Sequence, residues 1–221
     1  MEAILPILPI ALAAALSSVP IMASIFILLS PNRGRAALPF LVGWVVGIFV
    51  VLFLLTLLAQ GVPTSRSPRR PDTVIAGLQI LFGVAIIGVA AWTWVRSRRP
   101  TRSTEAKWLK KVNTFGPWTS LGLGFVLNLR PKGLLLAGAA GLSIRADTDS
   151  VSAALIPIAI YTLLAASTVA APVIAMLVAP ARMEPRLVKV KAWMSRNGEA
   201  LTSVILAVIG AVIVAMGIAR W

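Results

Sequence analysis

The chain has 221 residues, of which 58% are hydrophobic and 13% charged, and its mean hydropathy is +0.91. A water-soluble globular fold needs more polar surface than this composition supplies, so the composition predicts an integral membrane protein. Cysteine and histidine are both absent, which excludes disulfides, thiolate chemistry and the usual ligands of zinc, haem and iron-sulfur clusters.

Runs of about 20 apolar residues, the length that crosses about 30 Å of hydrocarbon, predict six transmembrane helices. The predicted spans are 3–30, 38–59, 74–95, 117–142, 151–180 and 201–219. The chain begins MEAILPILPI, with an acidic residue where a cleavable signal would be basic, so span one is expected to remain as a helix. These spans divide the chain into a first three-helix repeat (1–95), a basic cytoplasmic loop with an amphipathic segment (96–116) and a second three-helix repeat (117–221).

The distribution of lysine and arginine predicts the orientation. Of the 21 cations, 14 fall in the loops after spans one, three and five, and 5 fall in the other loops and the termini. Because loops rich in lysine and arginine stay in the cytoplasm, both termini are expected on the extracytoplasmic side of the membrane. The net charge of +14 is thereby explained without nucleic acid, which is not an expected partner. The two remaining cations are Arg130 and Lys132, inside span four.

Two of the basic loops have amphipathic patterns, in TEAKWLKKVNTF and EPRLVKVKAWMSRNGE. Each puts three apolar residues on one helical face: Trp108, Val112 and Phe115 in the first, and Leu187, Val190 and Met194 in the second. Each fits a short helix lying on the anionic inner leaflet. A solvated run of charges that only sets the topology fits equally well.

The two halves of the chain carry a weak internal repeat. At an offset of about 111 residues, SSVP in span one overlies NLRP in span four, so that Ser17 falls on Asn128 and Pro20 on Pro131. Three spans per half is an odd number, which places the halves in opposite orientations. Proline lacks the backbone donor that a helix interior requires. The sequence therefore predicts an all-α membrane fold, a 3+3 inverted repeat in which helices one and four are broken at Pro20 and Pro131.

The six-span plan, the NLRPK of span four and the segment SSVPIMASIFILLSPNRGRAALPFLVGWVVG resemble the LysE superfamily of exporters. Within that superfamily, the chain is most similar to the Gap/Sap group of actinobacterial membrane proteins, named for glycolipid export and sulfolipid addressing. The resemblance implies a small integral membrane exporter or lipid-translocation factor and leaves the substrate open.

Arg130 needs an explanation of its own. It lies about 13 residues from either end of its span, so the nearest interface is roughly 20 Å away, beyond the reach of its side chain. An arginine at that depth costs about 2.5 to 3.5 kcal/mol to insert. All seven acidic residues fall in predicted loops or termini. Water, the carbonyls freed by the broken helix or an anionic ligand remain as partners. The candidate substrate-binding residues are Asn128, Arg130, Lys132, Ser17, Ser18, Gln79 and Tyr161.

These features favour a transporter that moves an anionic lipid or glycolipid across the cytoplasmic membrane. Export of a small organic anion or amino acid is one alternative, and a non-transporting scaffold for a lipid synthase is another. An enzyme is not expected, because the spans hold no acid–base pair, metal cluster or activated nucleophile. No GxxxxGK[ST] loop occurs, and no cofactor is predicted. Membrane lipids are the expected partners, while a lipid-synthesis enzyme and further copies of the chain stay open.

Overall fold

A computed structural model describes residues 4–61, 73–97, 115–148 and 150–219. Almost all of the amphipathic segment predicted at 104–115 lies outside these residues. Within them the chain forms α-helices and no strand, as an apolar chain in lipid requires, because a helix satisfies its backbone donors and acceptors internally. The helices are α1 (Ile7–Ala15), α2 (Ser18–Leu28), α3 (Arg33–Gln60), α4 (Thr73–Ser97), α5 (Pro117–Val126), α6 (Pro131–Asp147), α7 (Val151–Val178) and α8 (Pro180–Ala219).

Four stretches of helix are long and apolar enough to cross a membrane: Arg33–Gln60, Val74–Val95, Val151–Val178 and Ala200–Ala219. They coincide with predicted spans two, three, five and six. Helices α1 and α2 are bent by 41° at a short break, and counting them as one broken span gives five. A multi-pass, all-helical membrane protein is therefore confirmed, while the six-span count stays a prediction. The fourth predicted span is divided into helices of 10 and 17 residues.

Close backbone contacts at glycines hold the helices together. A Cβ at Gly43 of α3 would overlap the carbonyl oxygen of Leu121 in α5, and one at Gly47 would overlap the amide of Asn128. The GxxxG spacing therefore serves helix packing, as such spacing does in membranes generally. Helix α3 also packs on α6 and α7.

Helices α4 and α8 form a second close pair. They run antiparallel, because Gly83 meets Gly210 while Gly217, further along α8, meets Ala76 near the start of α4. A Cβ at Gly83 would lie 2.9 Å from the carbonyl oxygen of Gly210, and a Cβ at Gly210 would lie 2.9 Å from that of Gly83. The contact is thus reciprocal.

The prediction that span one is broken at Pro20 is wrong by a few residues. Helix α1 ends at Ala15 and α2 begins at Ser18, so the interruption lies at Leu16 and Ser17. Pro20 is the third residue of α2. Backbone N–H groups in the first turn of a helix have no partner within that helix, so a proline costs little there.

The second amphipathic segment is not a separate surface helix. It forms the first half of α8, which continues without interruption from Pro180 to Ala219 through span six. Its predicted apolar face is only partly correct: Leu187 and Met194 are buried, whereas Val190 is exposed.

Candidate functional site

A cavity of about 610 Å³ lies where the two helix breaks meet. Helices α1 to α4 and α6 to α8 all contribute to its wall, together with the turn between α5 and α6. Six of the seven predicted binding residues line it: Ser17, Ser18, Asn128, Arg130, Lys132 and Tyr161. Both prolines that were predicted to break helices, Pro20 and Pro131, line it as well.

The break in span four follows from its proline. Helix α5 passes into a 3-10 turn over Leu127–Leu129, and Arg130 then adopts an extended conformation with φ −70° and ψ 148°. A residue before proline is excluded from the helical region by contact with the proline ring, and proline itself suits the first position of a helix. Helix α6 accordingly begins at Pro131. The chain therefore leaves helical geometry at Arg130, and Lys132 lies in the first turn of α6.

Asn128 closes the end of α5 and is largely a structural residue. It is 7% exposed, and its side-chain amide donates to the carbonyl oxygens of Gly124 (3.1 Å) and Phe125 (3.4 Å) in the preceding turn. It also donates to the carbonyl of Trp44 in α3 at 3.3 Å. These bonds cap the last turn of α5 and tie the break to α3. Capping by Arg130, the alternative raised by the sequence, is therefore unnecessary.

Lys132 links the two breaks. Its ammonium donates to the hydroxyl of Ser17 at 3.4 Å, across the cavity from α6 to the gap between α1 and α2. The adjoining backbone N–H of Ser18 donates to the hydroxyl of Thr202 in α8, also at 3.4 Å. The two helix breaks and span six are thus joined by hydrogen bonds at Ser17 and Ser18.

The cavity is cationic. Arg130, Lys132 and Arg196 line it, and none of the carboxylates whose side chains are described lies within ion-pair distance of any of them. Sequence reasoning missed Arg196 because it lies in a polar, basic stretch assigned to a loop. The continuity of α8 brings it to the cavity, and an amphipathic pattern that runs straight into a span could have indicated this.

The remainder of the wall is mostly apolar. It includes Met22 and Phe26 of α2, Ile48 and Val51 of α3, and Leu136 of α6. Such a wall accepts hydrocarbon, while the cations accept an anion. The indole nitrogen of Trp44, also on the wall, is a buried donor with no partner among the described residues.

Gln79 does not belong to the cavity, contrary to the prediction. It is 1% exposed, and its side-chain nitrogen lies 3.4 Å from the hydroxyl of Ser143, between α4 and α6. The hydroxyls of Thr162 and Ser167 in α7 donate to carbonyls of their own helix, a common arrangement without functional meaning. Thr168 differs, because it donates to Ala15 at the end of α1.

The family of the chain follows from a comparison with known families. The sequence profile described as Sap, sulfolipid-1-addressing protein, matches residues 7–219. The chain belongs to the Sap family. This match confirms the resemblance to the Gap/Sap group and makes the chain a lipid-related membrane protein of that family. Neither the curated proteins nor the solved structures that were compared contain a match.

The Sap profile begins in α1 and ends at the last residue of α8, so both helix breaks and every cation of the cavity lie within it. The cavity is therefore a feature of the family region of the chain and not of an added segment.

Proposed function

We propose that this protein moves an anionic lipid or glycolipid across the cytoplasmic membrane, using the cavity between its two helix breaks. The observation that carries the proposal is the composition of that cavity: cations at the breaks and an apolar wall around them. An amphiphile with a sulfate, phosphate or carboxylate head group matches both parts. A lysine-like substrate does not, because its own charge would be repelled.

Arg130 is the residue assigned to the head group. Its guanidinium has no hydrogen bond or ion pair to the described residues, while Asn128 already satisfies the end of α5. The planar fork of arginine can hold two oxygens of a sulfate or phosphate through parallel hydrogen bonds. Lys132 supplies a point charge beside it and a contact with the opposite break.

We also propose the six-span, 3+3 inverted repeat as the framework of transport, with both termini outside. Its support is the antiparallel packing of α4, the last helix of the first half, on α8, the last helix of the second half, as oppositely oriented halves require. In such repeats, paired broken helices frame the substrate site near the midplane. The paired breaks around this cavity fit that plan.

The first test compares the surface lipids of a strain lacking the gene with those of its parent. Loss of one anionic lipid from the surface, with its precursor retained inside, is the expected result. An unchanged lipid profile with an intracellular build-up of an amino acid or organic anion would instead identify a small-solute exporter. Normal export combined with loss of lipid synthesis would identify a scaffold.

The second test restores that strain with variants at Arg130. Arg130→Gln is expected to lower the rate of surface appearance about 10- to 100-fold, the loss of a charge-assisted bidentate contact. Folding should be preserved, because removing a charge from the membrane lowers the insertion cost. Arg130→Lys should restore the rate only in part. Arg35→Gln, at an exposed cation outside the cavity, is the control. Normal transport by well-folded Arg130→Gln would end this assignment.

A further inference from the structure

Arg196 occupies a special position among the basic residues of α8. The others in this stretch, such as Arg182, Arg186 and Lys189, are exposed and lie outside the cavity wall. Arg196 is exposed too, yet it lines the cavity that contains Arg130 and Lys132. The cavity therefore joins the water-accessible face of α8 to the helix breaks.

The position of Arg196 along α8 corresponds to the surface of the membrane. The apolar span of α8 begins at Ala200, so Arg196 lies four residues, about 6 Å, before it. Two further wall residues at this end of the cavity are exposed: Ser195 beside it and Trp92 of α4, which is 61% exposed. Tryptophan and arginine are both residues that favour the level of the lipid head groups. We call these three residues the mouth of the cavity.

No described side chain of the fold pairs with the charge of Arg196. Its guanidinium has no hydrogen bond or ion pair to the described residues. Arg33, at the same end of the molecule, is a contrast: it pairs with Glu184 at 3.1 Å and so has a structural role. An arginine left uncompensated on the wall of a cavity attracts an anion from outside.

We propose that Arg196 receives the anionic head group of a membrane lipid at the mouth of the cavity, before the head group reaches Arg130 and Lys132. This inference rests on the proposed function and adds the step of entry. The three cations on the cavity wall then form a path from the head-group level to the helix breaks. A lipid head group is the favoured source of the anion because the mouth lies at the surface of the span and the wall beyond it is apolar.

The position of Arg196 is fixed by the contact of α8 with the first helix break. A Cβ at Gly198 would lie 3.3 Å from the Cβ of Ser18, and Thr202 accepts from the backbone of the same serine. Arg196 therefore lies within about one and a half helical turns of the two residues of α8 that contact the first helix break. A bulky residue at 198 would separate α8 from that break.

The electrostatic potential at the mouth of the cavity can be measured from the position of Met22. Met22 lines the cavity on α2, between Ser18, which touches Gly198, and Phe26, whose ring lies 4.8 Å from the ammonium of Lys191. It therefore faces the stretch of α8 that carries Arg196. The chain has no cysteine, so Met22→Cys introduces a single thiol.

The experiment labels Met22→Cys in nanodiscs of neutral lipid with two thiosulfonate reagents of similar size, one anionic and one cationic. The rate ratio of the two reports the local potential. Arg196→Gln is expected to lower the anionic-to-cationic ratio about threefold, the screened effect of one charge about 10 Å away. Arg196→Lys should leave the ratio within about 1.5-fold of the parent, as should Arg186→Gln on the same helix. A ratio that Arg186→Gln lowers as much as Arg196→Gln would overturn the proposal.

A protection assay identifies the anion. An uncharged maleimide replaces the charged reagents, and nanodiscs with and without phosphatidylglycerol are compared. The anionic lipid is expected to slow labelling of Met22→Cys at least about threefold in the parent and not in Arg196→Gln, because loss of one charge-assisted contact weakens binding by that amount or more. Equal protection of the parent and of Arg196→Gln by phosphatidylglycerol would refute a receiving role for Arg196. Equal protection by inorganic sulfate added to nanodiscs without phosphatidylglycerol would refute a lipid as the source of the anion.

Failure of this inference and failure of the proposed function are separable. If Arg196→Gln leaves labelling, protection and transport unchanged while Arg130→Gln abolishes transport, the entry step is wrong and the transporter stands. If both variants transport normally, the assignments of Arg130 and Arg196 both fail. The proposed function itself fails if the strain lacking the gene keeps the surface lipids of its parent, whatever the labelling ratio.

Discussion

The two helix breaks line one cavity, but their polar groups are satisfied in different ways. At the break between α1 and α2, the side-chain partners of the backbone come from other helices: Thr168 of α7 donates to the carbonyl of Ala15, and Thr202 of α8 accepts from Ser18. At the break between α5 and α6, Asn128 within the break donates to Gly124 and Phe125 of the preceding helix, and only its bond to Trp44 reaches another helix, α3. The first break thus depends on its neighbours, whereas the second is closed largely by its own segment.

This difference explains where the charges stand. A break that caps itself leaves the following side chains free of a structural task, and Arg130 and Lys132 follow it directly. The first break carries hydroxyls and no cation. Because its partners belong to α7 and α8, a movement of either helix would change its hydrogen bonds. If the protein transports as proposed, we therefore expect binding at the second break and coupling to helix movement at the first.

The largest effect is expected where α5 is fixed against α3. Gly43→Leu would drive a side chain into the backbone of Leu121. Backbone cannot move aside as a side chain can, so the free energy of unfolding should fall by about 3 kcal/mol. The measurement is the yield and thermal midpoint of monodisperse protein. Gly88→Leu, where a Cβ meets nothing within 4 Å, should resemble the parent. Equal losses for both variants would show that the α3–α5 contact is not what positions the second break.

A smaller effect is expected from removing the cap of the second break. Asn128→Leu keeps the branched shape of the side chain and leaves the carbonyl of Gly124 without its side-chain donor, so the free energy of unfolding should fall by about 2 kcal/mol. Asn197→Leu, at an exposed asparagine of α8, should change it by less than about 0.5 kcal/mol. Denaturant unfolding in micelles compares the two. A negligible loss for Asn128→Leu would mean that this break does not cap itself.

The smallest effect is expected at the first break. Thr168→Val removes one bond between helices and preserves the shape, and such bonds in membranes average about 0.6 kcal/mol. Thr162→Val is the control, because that hydroxyl donates to the carbonyl of Ile158 in its own helix. The same unfolding assay applies, with the transport rate measured beside it. If Thr168→Val costs as much as Asn128→Leu, the contrast between the two breaks is incorrect.

The sequence predicted the apolar spans well and the breaks unevenly. Spans two, three, five and six each contain a long uninterrupted apolar run, whose location depends on composition alone. Pro131 marks the second break because its ring excludes the preceding residue, Arg130, from helical geometry. Pro20 misled the prediction, since a proline near a break can stand before it, in it or, as here, inside the next helix. Local sequence does not separate these cases.

Two of the three cations of the site could be predicted from the sequence, whereas the third and the position of Gln79 could not. Arg130 and Lys132 were identified because their cost in lipid demands a partner. Gln79 was misplaced because the face that α4 turns toward α6 is decided by packing at Gly138 and neighbouring residues, which the hydropathy of α4 does not reveal. Arg196 was missed because the length of a helix through a polar stretch depends on contacts with other helices, here with Ser18 of α2.

The unbroken course of α8 has a mechanical consequence. A rigid rod that pivots where Gly210 meets Gly83 acts as a lever, and Arg196 lies 14 residues, about 21 Å, from that pivot. A tilt of α8 by about 10° would move the backbone of Arg196 sideways by roughly 4 Å. That displacement exceeds the length of a hydrogen bond, so a modest rocking of one helix suffices to offer Arg196 to a head group or to withdraw it.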